Sequence, residues 1–326
     1  GAAAQSPAFF DTFAYPQGWS TPAGLYKPAA GAALVQGSPN LAWRKLVWAA
    51  APSWPLVDYL AENVATAAKD APSRLLLSVT PRPAPGLPAG GAEILSDSRV
   101  RTFGFGSYRA RMKVSPPTQG GVGVCNALYI YTPQCELDIE FLSANQGRTP
   151  GTGQVEMAVH DHTYVPGNRI SLVKYVNLAF DPSREFHVYG FDWQPGRVEF
   201  YVDDRPVALI RTGDQGRIVI NGVPQYAPLK LPSASNLVSD ALRLSNWTDL
   251  AAWCGVAPSV KTDFEVDWIS YTPFYFTATA TEVSVFAGGS AEFKIDAGPA
   301  RAGSLVLILA SPFETNAGML DPFRPG

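Results

Sequence analysis

Alternation is the feature that most constrains this chain. From Ile94 onward, apolar and polar residues trade places with a period of two, and no window of about 12 residues carries a helical stripe. Successive side chains of a strand point to opposite faces, so this pattern predicts half-buried strands. The candidates are 74–80, 105–114, 126–131, 136–142, 155–160, 186–193, 197–202, 207–211, 242–247 and 264–272, each bounded by Gly, Pro, Asn or Asp. Composition agrees: 29 glycines and 29 prolines among 326 residues, with only 16% charged residues, against roughly 25% in an average soluble protein. That balance favours short strands joined by turns. Asp203-Asp204-Arg205 and Thr132-Pro133-Gln134 read as turns between paired strands, so the sheets are expected to be antiparallel and the class all-β.

The first 90 residues are expected to form a loop-rich cap, with one short helix over 57–69 and a Pro/Gly loop over 81–90. After Pro273 the composition turns Thr/Ala-rich, and strand-like segments follow at 284–295 and 304–310. About 50 residues are too few for a sandwich of roughly 100. The expected division is therefore a main domain over 1–275 and a short β extension or incomplete accessory domain over 276–326.

Several function classes drop out. The net charge is −3 and no basic run could neutralise a row of phosphates, so no nucleic-acid partner is expected. The longest aliphatic run, 305–309, is far short of the 18 or so residues of a membrane helix, so no membrane partner is expected. Cys125, Cys135 and Cys254 form no CxxC pair and lie at no metal-ligand spacing from a histidine. The opening Gly1-Ala2-Ala3-Ala4 fits the remainder of a cleaved leader as well as it fits a plain chain end.

The chemistry concentrates in Cys135-Glu136-Leu137-Asp138-Ile139-Glu140-Phe141-Leu142. On a strand, Glu136, Asp138 and Glu140 share one face, and Leu137, Ile139 and Phe141 share the other. Three same-face carboxylates repel one another, and acids are poor strand formers, so the arrangement costs stability and points to function. Positions i and i+4 lie about 13 Å apart along a strand, but leaning glutamates can approach the 5–5.5 Å that a retaining glycosidase uses for nucleophile and acid/base. Asp138, lying between them, would help keep the acid protonated.

Glu136-Leu137-Asp138-Ile139-Glu140 resembles the ExDxE signature of glycoside hydrolase family 16. The surroundings are similar too: Thr102-Phe103-Gly104-Phe105-Gly106-Ser107-Tyr108, the run from Phe186-His187-Val188-Tyr189 through Phe191-Asp192-Trp193-Gln194-Pro195-Gly196, Tyr201-Val202-Asp203 and Val266-Asp267-Trp268. The resemblance covers about residues 90–275. It implies an antiparallel jelly-roll sandwich with a glycan cleft, Glu136 as nucleophile, Asp138 as helper and Glu140 as acid/base. One residue between Asp138 and Glu140 matches the bulge-free branch that holds licheninases and xyloglucan transglycosylases.

The resemblance further implies Trp247 and Trp253 as sugar-stacking rings across the cleft, His160 as a substrate contact beside the acids, and Arg99 and Arg101 as polar sugar contacts. Trp193 and Trp268 are assigned to the core. Asp267 falls where licheninases hold a structural calcium, although one acid cannot cage the ion alone; no cofactor is expected for catalysis. Ala158, His160 and Gln134 depart from the licheninase pattern and leave the glucan linkage open. The expectation is a secreted, monomeric endo-β-glucanase with β-glucan as its partner. Transglycosylation on the same residues, or a non-catalytic glucan-binding protein, are the alternatives.

Overall fold

The computed structural model describes residues 9–13, 25–26, 43–45, 57–66, 74–84, 87–96, 103–117, 123–146, 151–165, 168–232, 241–248, 253–255, 257–278 and 293–296. In chain order the strands are β1 (Phe9–Asp11), β2 (Leu25–Tyr26), β3 (Trp43–Lys45), β4 (Val57–Tyr59), β5 (Val64–Thr66), β6 (Leu75–Val79), β7 (Ala89–Ser96), β8 (Gly106–Lys113), β9 (Cys125–Tyr131), β10 (Cys135–Leu142), β11 (Gly153–Val165), β12 (Asn168–Leu178), β13 (His187–Gln194), β14 (Arg197–Val202), β15 (Arg205–Arg211), β16 (Gln215–Ile220), β17 (Val223–Pro228), β18 (Ala241–Trp247), β19 (Thr262–Pro273), β20 (Tyr275–Ala278) and β21 (Phe293–Asp296). An 8-stranded sheet runs β15-β14-β13-β8-β19-β6-β5 with β1 beside β19, and an 11-stranded sheet runs β17-β16-β12-β11-β10-β9-β18-β7-β3-β2 with β4 beside β7. The central pairs are antiparallel, as the alternation requires.

The two sheets meet on their apolar faces. Leu137, Ile139 and Phe141 of β10 and Val155, Met157 and Val159 of β11 are sealed against Tyr189, Phe191 and Trp193 of β13 and Phe264 and Ile269 of β19. The Phe141 ring meets Tyr189 edge-on across the layers at 4.8 Å. Fully burying such a side chain contributes roughly 1.5–3 kcal/mol, and the same packing forces the alternate residues of β10 onto the opposite face. No register shift interrupts β10 on either neighbour, so the acid-bearing strand is bulge-free.

Turn chemistry closes the hairpins. Asp203 and Asp204 take φ of 48° and 59° between β14 and β15, and Asn221 and Gly222 take 51° and 79° between β16 and β17. Positive φ at both central residues is the two-residue turn whose twist matches a hairpin. Thr132 ties the third turn, its backbone N–H reaching the Cys135 carbonyl at 2.8 Å.

Four expectations differ from the structure. In place of a helix over 57–69 stand β4, a single 3₁₀ turn (Ala61–Asn63) and β5; Val57, Tyr59 and Val64 are buried, and β4 runs parallel to β7, so tertiary pairing overrides the local spacing. The 81–90 loop ends early because Ala89 and Gly90 already belong to β7. Gly90 bridges Thr80, where an added Cβ would lie 2.3 Å from the threonine oxygen. The described part of residues 1–90 is not a separate cap but supplies strands to both sheets. Trp268 is half-buried, resting on Phe10 at 5.2 Å, because a register shift between Val266 and Trp268 reverses which residues of β19 face inward. Trp193 is in the core as expected. Of the late segments, β21 overlaps 284–295, while 304–310 lies outside the described residues. No helix among the described residues is long and apolar enough to cross a membrane.

Candidate active site

On the face of β10 turned away from the core, each acid meets a defined cross-strand neighbour on β11: Glu136 opposite His160, Asp138 opposite Ala158, Glu140 opposite Glu156. On the other flank, β9 sets Tyr131, Tyr129 and Ala127 beside the same three acids. The register therefore builds a polar strip flanked by aromatic residues.

The three acids experience different surroundings. The Glu136 carboxylate accepts from Arg169 Nη1 of β12 at 3.1 Å and lies 3.6 Å from His162 Nε2. Burial pushes its carboxyl up, but the His162 hydrogen bond and the Arg169 guanidinium more than offset this, and the group sits below the ordinary glutamate range. Burial, with Glu136 nearby, pushes Asp138 well up. Burial and then the Asp138 charge push Glu140 well up too. Glu136 is thus the carboxylate of the set, and Glu140 is the carboxylic acid.

His160 links to Asp138 through Nε2 at 3.0 Å and to the Ser171 hydroxyl through Nδ1 at 2.7 Å. Burial pulls its imidazole down to about 4, so near neutrality it is uncharged. The neutral ring therefore bridges Asp138 and Ser171, one nitrogen to each. The donor atoms of Glu136, Asp138 and His160 lie within 4.8 Å of one another, the spacing of a metal site. In this structure His160 and Asp138 partner each other, and Glu136 is partnered by Arg169 and His162.

Trp247 and Trp253 come together, half-buried, with ring centroids 5.5 Å apart. They pack on Cys125, Ala127 and Leu142 at the Glu140 end of the strip. The Cys125 thiol donates to Glu140 Oε1 at 3.6 Å. Arg99 and Arg101 lie outside the described residues. Asp267 faces the Arg111 guanidinium. Calcium needs six to eight oxygens, whereas here a cation of the chain itself answers the carboxylate, so this donor set does not fit the ion.

Sequence reasoning missed six contributors. Arg169 and Ser171 sit on β12, whose alternation of Ile170, Leu172, Val176 and Leu178 against Arg169, Ser171 and Tyr175 was a readable strand signal. His162 follows His160 by two positions on the same strand, which was also readable. Glu93 and Arg243, paired at 2.9 Å on β7 and β18, had no local signal because 150 residues separate them. Tyr129 hydrogen-bonds both, and Arg243 stacks 5.7 Å from the Tyr129 and Tyr131 rings.

Comparison with known proteins agrees with this geometry. The sequence model of glycosyl hydrolases family 16 matches residues 63–249. A beta-glucanase of Bacillus subtilis (strain 168) is 29% identical over 180 residues, covering 53% of this chain and 60% of the relative. The chain thus spans about 60% of the length of the first curated relatives it matches. Among solved structures, a prokaryotic beta-1,3-1,4-glucanase (lichenase) from a mouse hindgut metagenome superposes with a TM-score of 0.55 at 22% identity, over 82% of this chain and 100% of that one. The Bacillus licheniformis beta-glucanase gives 0.56 at 20% identity, over 82% and 99%. At these identities the superpositions establish the shared fold, a jelly-roll sandwich.

Proposed function

The chain belongs to glycosyl hydrolase family 16, and from that premise we propose that it is a retaining endo-β-glucanase acting on β-1,3/1,4-type glucan. The observation that carries the reading is the split along one strand face. Glu136 is held ionised by His162 and Arg169, while Glu140 is driven toward its protonated form by burial and acidic neighbours. Two carboxyl groups whose environments push their proton affinities apart are what acid-assisted displacement at an anomeric carbon requires.

In the first step Glu136 attacks the anomeric carbon, and the glycosidic oxygen leaves with the Glu140 proton. In the second, water attacks that carbon, its proton returns to Glu140, and Glu136 departs as a carboxylate. Asp138, held by His160 between the two glutamates, favours retention of the proton on Glu140. Trp247, Trp253, Tyr129 and Tyr131 offer flat faces for pyranose rings along the strip. No metal enters either step. A polysaccharide substrate fits an exported, monomeric protein.

Product analysis on mixed-linkage glucan, laminarin and xyloglucan tests the assignment. Internal cleavage of mixed-linkage glucan is expected. Binding without cleavage of any of the three would leave a glucan-binding protein instead, and longer products formed on adding acceptor oligosaccharide would mark transglycosylation.

A further inference from the structure

Glu156 has no part in the steps above, yet its position is specific. It stands on β11 directly opposite Glu140 and is 5% exposed. Neither glutamate forms an ion pair among the described residues. Like charges at directly opposed positions destabilise a sheet, and a glutamine would fill the same volume without that cost. Glu156 also accepts a hydrogen bond from the Trp253 side chain, whose ring leans on Trp247.

The groups facing Glu140 are Cys125 and Ala127 of β9, Asp138 and Glu136 of its own strand, and Glu156 and His160 of β11. Ser245 and Trp247 of β18 follow beyond β9, and Tyr175 of β12 beyond Glu156. Among the described residues, the nearby Arg169 is bound to Glu136. Glu156 is therefore the acid across the strand from Glu140, and it also touches the aromatic wall.

We propose that Glu156 is a positioning residue: it anchors the Trp253 indole at the acid end of the site, and its charge favours retention of the proton on Glu140. This rests on the glycosidase reading above. Burial raises the Glu156 carboxyl to about 7, and among the causes that raise Glu140, after burial and Asp138, is Glu156 itself. The influence runs from Glu156 to Glu140, since burial alone raises Glu156 and the Trp253 hydrogen bond opposes it. When Glu140 gives up its proton to the leaving oxygen, the new carboxylate faces Glu156, which favours recovery of that proton from water in the second step.

The test compares E156Q and E156L with the wild-type chain on mixed-linkage glucan. Glutamine keeps an acceptor for Trp253 and removes the charge. In E156Q, KM and tryptophan emission should stay at wild-type values while the basic limb of the kcat/KM profile moves to lower pH. E156L should show the same shift, with a raised KM and red-shifted emission as well. An E156Q profile with an unmoved basic limb would overturn the proposal, as would an E156L variant with wild-type KM and emission. Should E156Q not fold, W253F removes the indole N–H together with its five-membered ring; it must raise KM on long glucan, and an unchanged KM would count against the anchor. E140A separates the two ideas: if it keeps activity on glucan, the glycosidase reading fails by itself, whatever E156Q shows.

Discussion

The two sheets treat their outward-facing acids in opposite ways. On the smaller sheet the described acids of β13, β14 and β19 have basic partners: Asp192 with Arg109 at 2.9 Å, Glu199 with Arg197 at 3.1 Å, Asp263 with Lys261 at 3.3 Å, Glu265 with Arg74 and Lys113, and Asp267 with Arg111. Arg74, Arg111 and Lys113 also gather over the Phe186 ring at 5.0–5.4 Å. On the larger sheet, Glu136, Asp138, Glu140 and Glu156 crowd one strip, and only Glu136 pairs with an arginine. Both arrangements use alternating strands. The first balances each of these charges with a neighbouring cation, whereas the second concentrates carboxyl groups whose proton affinities diverge, at a cost in stability that the apolar layer beneath must offset.

The largest effect should come from breaking the concentrated strip. E136Q should reduce turnover by roughly 10⁴-fold or more, on the scale of nucleophile removal in other hydrolases, with a lowered melting temperature because Arg169 and His162 lose the charge they face. Near wild-type turnover would remove Glu136 from the chemistry.

E140A should lower hydrolysis of natural glucan by about 10²–10⁴-fold while sparing aryl glycosides, whose leaving groups need little protonation. Equal losses on both substrates would mean that Glu140 is not the acid.

A smaller effect concerns pH and stability. In the folded chain Glu156 binds its proton more tightly than its ordinary 4.5, up to about 7. Its contribution to stability is thus complete below about 4.5 and is lost as pH rises through about 7. The melting temperature should fall over that window in the wild type and fall less in E156Q; parallel curves would show that the carboxyl titrates normally.

The smallest effect belongs to the paired sheet. D267N should cost about 0–1 kcal/mol, the range of exposed ion pairs, and leave kcat unchanged. A chelator should not shift the melting temperature, because Arg111 and not calcium answers Asp267. A large drop on chelation would show that an ion binds there.

The acid-bearing strand β10 was legible because its two periodicities coincide. Leu137, Ile139 and Phe141 announce the core while Glu136, Asp138 and Glu140 announce the site, and both are local signals. The Trp247–Trp253 wall was legible for a similar reason, its two rings lying six positions apart. What escaped depends on pairing between distant segments: the Glu93–Arg243 pair, the packing of β4 along β7, and the shift at Asp267 that turned Trp268 outward. The β16–β17 hairpin was legible but overlooked, since Asn221-Gly222 between Gln215–Ile220 and Val223–Pro228 is among the strongest short-range turn signals.

The central claim is that one strand face carries a nucleophile and an acid close enough for double displacement. Proton NMR of the first product released from mixed-linkage glucan tests it most directly. The β-anomer should appear first and then mutarotate, because two displacements at one carbon restore its configuration. An α-anomer appearing first would mean that water attacks directly and that Glu136 is not the nucleophile.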